Sequence, residues 1–133
     1  MPDAIWYALN AIYALWEVWS HEASLSAKAE EAAVSGDPDG ETTAALICAR
    51  GGNTHRQFVE FGERLGFGTQ PFGASPFGVG GWYWQNFTDP NARFAQRSAW
   101  YRAHVQGREV LEPLEGACRW LAARPEIPRP SAQ

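Results

Sequence analysis

Ile5, Leu9, Ile12, Trp16, Trp19 and Ala23 follow one another at spacings that alternate between four and three. Side chains with that period line one face of an α-helix, so the first segment of this chain is predicted to be helical. Asp3 stands just ahead of the stripe, where a carboxylate can accept from the backbone N–H groups of a first turn. The opposite side reads Asn10, Glu17, His21, Ser24 and Lys28 and is polar. Trp6, Tyr7, Tyr13, Leu15 and Val18 widen the apolar arc beyond one stripe, so this helix wants cover on more than one side. The apolar run is short of the roughly 20 residues that cross a bilayer, and it contains Asn10 and Glu17, so a buried helix is expected and a membrane span is not. No basic segment precedes it, and no signal peptide is expected. The Ala-rich "SAKAEEAAV" has high helix propensity and extends the helix to "SGDPDG", which turns the chain at Ser35–Gly40. One helix of about 30 residues would be roughly 45 Å long.

In the second segment Ala44, Ile47, Gly51, Thr54, Phe58, Phe61 and Leu65 hold a three–four alternation through Gly51 and Gly52. The stripe keeps phase across the glycines, which favours one helix from Glu41 to Leu65. The alternative is a break, with Thr54 and Gln57 forming a fresh capping box. Two glycines cost about 2 kcal/mol of helix propensity relative to alanine. A third stripe comprises Trp100, His104, Gly107, Leu111, Leu114, Cys118 and Leu121. Thr88 or Asp89 would cap this helix, and Pro113 either kinks it or starts a new one.

The expected fold is all-α: an antiparallel bundle of three or four long helices, forming one domain over residues 1–124, followed by a proline-rich tail at 125–133. Residues 67–88 join helices 2 and 3 as a long irregular loop. It carries Pro-Phe-Gly twice and seven of the 18 aromatic residues: Phe67, Phe72, Phe77, Trp82, Tyr83, Trp84 and Phe87. A structureless connection of that length is usually functional or disordered, and disordered segments are poor in rings. It is therefore expected to be ordered, either covering the bundle or forming a binding surface. Three long helices make a slender core, so the surplus arc of the first helix points to self-association, and a homodimer is expected.

The formal net charge of −4 disfavours nonspecific nucleic-acid binding. Its distribution is lopsided: residues 1–45 hold eight acids against Lys28, and residues 46–133 hold seven acids against ten arginines. An acidic first helix packed near a basic third one would account for this. Cys48 and Cys118 are isolated in apolar contexts without metal spacing, and are expected as buried small residues in a reducing, cytoplasmic setting.

Catalytic signatures are missing. There is no GxSxG, no HExxH and no Glu-x-x-His, and "GFGTQPFGASPFGVGG" lacks the lysine and the strand–helix context of a phosphate loop. No cofactor or metal is expected. The leading expectation is a non-enzymatic binding protein. Phe72, Phe77, Trp82, Tyr83 and Trp84, with Trp16 and Trp19 of the first helix and His104 and Arg97 of the third, would meet an apolar small molecule or a protein partner. One alternative is a small helical enzyme, with or without a metal, that uses His104 with neighbouring Glu and Arg. Another is an anionic-ligand or nucleic-acid binder working through Arg93, Arg97, Arg102 and Arg108.

Overall fold

The computed structural model describes residues 2–52, 59–62, 81–85 and 95–129. These form five helices and two short strands: α1 (Pro2–Glu22), α2 (Ala27–Val34), α3 (Pro38–Gly52), β1 (Val59–Gly62), β2 (Gly81–Trp84), α4 (Ala95–His104) and α5 (Leu111–Ala122). The chain is mostly helical, as its periodicity predicts, but the helices are shorter than expected.

The predicted 30-residue helix is two. α1 stops in a Schellman arrangement: Leu25 N–H donates to Ser20 O at 2.9 Å and Ser24 N–H to His21 O at 3.1 Å. Ser24 occupies the left-handed region with φ 56°, a position that usually goes to glycine. Ser26 then caps α2, its hydroxyl accepting from Ala29 N at 3.2 Å. The alanines that follow are still helical, but in a new helix that Ser26 starts.

The expected helix from Glu41 to Leu65 is also corrected. α3 ends at Gly52, and Val59–Gly62 is a strand. It pairs antiparallel with β2, Val59 opposite Trp84 and Phe61 opposite Trp82. Two successive glycines weaken a helix, while the β-branched and aromatic residues beyond them favour a pleated surface. The segment 67–88, expected as irregular, thus contains a strand at Gly81–Trp84; Phe72 and Phe77 lie outside the described residues.

The third predicted helix breaks at Gly107 (φ 77°), six residues before Pro113. Pro113 sits in the first turn of α5, where its missing N–H costs nothing. β2 uses the break. Gly107 N–H donates to Trp84 O at 3.0 Å, Trp84 N–H to Arg108 O at 3.1 Å, and Val110 N–H to Trp82 O at 3.0 Å. The outer edge of β2 is therefore paired rather than left open.

At the centre lies α3. Every residue from Thr42 to Ala49 is buried, and α1, α2, α4 and α5 all pack against this helix. A helix buried on all faces has no polar side. Thr42 and Thr43 are accommodated because each hydroxyl donates to the carbonyl four residues back, Pro38 O and Asp39 O, at 2.7 Å. The entry of α3 is tight: a Cβ on Gly40 would lie 2.8 Å from Trp120 Nε1 and 3.1 Å from Val34 Cβ. Trp120 closes a three-indole cluster with Trp16 (centroids 5.6 Å apart) and Trp19 (4.8 Å). Cys48 is buried as expected, whereas Cys118 is exposed on the outer side of α5.

Candidate functional site

Each candidate residue is best weighed by what covers it. Trp16 and Trp19 are 2% and 4% exposed, on the inward stripe of α1 with Ile5, Leu9 and Ile12. Tyr83 is 8% exposed and Trp84 is fully buried, its indole N–H donating to Val110 O at 3.2 Å. Trp82 is half-buried and packs against the same core. The aromatic triplet thus contributes mainly to the chain's own interior.

The ionisable candidates are tied into contacts between helices. Arg97 on α4 is 5% exposed and reaches two carboxylates of α2, Glu30 at 3.1 Å and Glu31 at 3.2 Å, as well as Ala27 O at 3.3 Å. Glu30 also accepts from the indole N–H of Trp16 at 2.9 Å. His104 Nε2 lies 2.9 Å from Glu41 of α3. Arg119 on α5 meets Asp39 at 3.1 Å, and this contact raises the pKa of the guanidinium. These pairs join the acidic N-terminal helices to the basic C-terminal ones, as the lopsided charge suggests. Arg93 lies outside the described residues, Arg108 pairs with Glu112 at 3.0 Å, and Arg102 is exposed. The arginines of α4 therefore do not form one open basic face among the described residues.

The wide apolar arc of α1 divides in two. On one flank Arg50 of α3 covers the rings: its guanidinium sits 4.0 Å from the Tyr13 ring centre and 5.7 Å from that of Trp6, and its Nε–H donates to Asn10 at 2.8 Å. The Glu17 carboxylate beside it raises the Tyr13 phenol pKa. The other flank is open. Tyr7 is 71%, Leu15 40% and Val18 37% exposed, with Ala4, Ala11 and Ala14 exposed between them. At 100° per residue these six lie within an arc of about 120°. The stripe runs from Ala4 to Val18, roughly 21 Å, and covers about 250 Å² of a cylinder 10–12 Å across.

A cleft of about 370 Å³ lies at the C-terminal end of α1, lined by Glu17, Ser20, His21, Ser24 and Leu25. Ser20 is already engaged, its hydroxyl donating to Leu25 O at 3.3 Å. Among the described residues no group of three or more His, Cys, Asp or Glu side chains could hold a metal ion, and no helix is long and apolar enough to cross a membrane. Comparison with protein-family models, with curated proteins and with solved structures finds no match.

The open stripe was half legible in the sequence. Tyr7, Leu15 and Val18 stand out as excess apolar residues on α1, but which excess residues α3 covers depends on Arg50, 40 positions from Asn10.

Proposed function

We propose that this protein is a non-enzymatic interaction module whose docking surface is the outer face of α1. The observation that carries this is the line of exposed Tyr7, Leu15 and Val18 on a helix whose opposite face is fully engaged in the core. Apolar groups in a continuous line lose water contact together when a partner helix is laid along them. A tyrosine offers a large, rigid contact area with a polar tip. The tying of Arg97 and Arg119 into ion pairs between helices, and of His104 to Glu41 at 2.9 Å, further supports a structural use of the polar residues. Trp82 to Trp84 serve this function indirectly, by filling the core that holds α1 in place. The expected homodimer belongs to the same proposal, as one way of covering the face.

A photo-crosslinking amino acid at Leu15 tests it, with the same substitution at exposed Glu115 as control. The expected result is a discrete covalent adduct at position 15, with this chain or with another, and none at 115. No adduct at position 15 in cells or in purified protein at high concentration would overturn the proposal.

A further inference from the structure

Resting on the α1 docking surface just proposed, we infer that its occupant is a second copy of this chain, with α1 laid antiparallel on α1 about a two-fold axis at Ala11. The stripe is self-complementary in that register. Residue i of one helix meets residue 22 − i of the other, so that Tyr7 faces Leu15, Ala4 faces Val18, and Ala11 faces itself. Each larger side chain meets a different partner, and the alanines near the axis let the helices approach closely. An isologous contact requires such a match, because one patch must fit itself.

Charge points the same way. Asp3 lies in the first turn of α1 and His21 in the last. They are 18 residues apart, five full turns at 3.6 residues per turn, and so fall on one line beside the stripe. Antiparallel pairing brings each Asp3 next to the partner copy's imidazole, whose N–H can donate to the carboxylate, and it does so twice by symmetry. The helix macrodipoles are also opposed in this arrangement, so each end meets the opposite end of its neighbour. A parallel pair would set Asp3 against Asp3 and Glu22 against Glu22.

Area sets the strength. Two stripes of about 250 Å² bury roughly 500 Å², below the ~1,000 Å² of a stable interface. The pairing is therefore transient and populated only at high protein concentration. Such a contact operates where the local concentration of the chain is high.

Disulfide trapping in a Cys118→Ser background tests the register. Ala11→Cys should cross-link to itself under mild oxidation. Ala4→Cys and Val18→Cys should each stay monomeric alone, and cross-link when mixed. Sedimentation velocity from 10 μM to 1 mM should show reversible dimer in the parent. Ala11→Glu should weaken it at least tenfold while leaving the thermal melt at 10 μM unchanged. Asp3→Lys should weaken pairing, and adding His21→Glu should restore it. Self-linking of Ala4→Cys would overturn the antiparallel arrangement. A parent that is monomeric at 1 mM, with no trapped dimer, would overturn the second-copy inference. In that case an adduct with a different chain at position 15 would leave the docking surface standing, and no adduct at all would remove both.

Discussion

Replacing Arg97 by methionine tests the idea that the buried ion pairs hold the acidic and basic halves of the chain together. The Arg97 side chain is 6% exposed and that of Glu30 is 12% exposed. Methionine roughly keeps the volume of the stem but removes the charge. Among the groups that lose a donor are Glu30, Glu31 and the carbonyl of Ala27. Glu31, with 28% of its side chain exposed, can recover water and counts for little. Glu30 cannot, because it remains between Trp16 and the α4 surface with one indole N–H for company. Breaking a buried pair by removing one partner costs about 3–5 kcal/mol. That is a large part of the 5–15 kcal/mol typical of a whole domain. With a urea slope near 2 kcal/mol per molar, the unfolding midpoint should fall by about 1.5–2.5 M. Adding Glu30→Gln to Arg97→Met removes the stranded charge and should recover roughly half of the loss. Hydrogen exchange should place the loosening in α2, whose amides from Ala27 to Val34 lose their anchor to α4. A midpoint within about 0.5 M of the parent, or a double variant no better than the single one, would refute the reasoning.

Three further outcomes follow from local geometry. Gly40→Ala should cost at least 1–3 kcal/mol by chemical denaturation, because its Cβ would press on Trp120 and Val34, and Trp fluorescence should shift with it. Ser24→Gly should raise stability by about 0.5–1 kcal/mol, since glycine adopts the left-handed cap without a Cβ clash but loses more chain entropy; a lowered melting temperature would contradict this. Burial pushes the Tyr101 phenol well above its ordinary value. The unfolded chain releases that proton near pH 10 while the folded one retains it, so stability should be intact below pH 10 and fall as pH rises beyond it. Tyr101→Phe loses the bond to Gln85 O, costs about 1 kcal/mol at pH 8, and should flatten the fall between pH 8 and pH 11 in urea titrations.

How far the sequence carried the structure can be judged at α1 and α3. The inward stripe of α1 is right at each buried position from Ile5 to Trp19, because the period of a half-buried helix is written into its own residues. The same method fails on α3, where residues 42–49 are buried on every face and no period marks a boundary. It also joined α1 to α2, although Ser24 and Ser26 supply the signal for a break: a short polar pair ahead of the Lys–Ala–Glu run. Of the proposed binding residues, Trp16, Trp19, Trp84 and Arg97 turn out to be packed against or paired with the chain itself. Excess rings in a sequence show that much apolar area must be covered, and say nothing of which molecule covers it.

By itself, then, the sequence determined that this chain is helical, where α1 points inward, and that its two halves carry opposite charge. Those properties arise from backbone geometry within a few turns, or from composition. The tertiary structure alone decided that β2 fills the break before α5, that Arg97 joins Glu30 across 67 residues, and that one flank of α1 is covered by Arg50 while the other stays open. Each depends on which distant segments meet, and contact partners far apart along the chain leave no period in it.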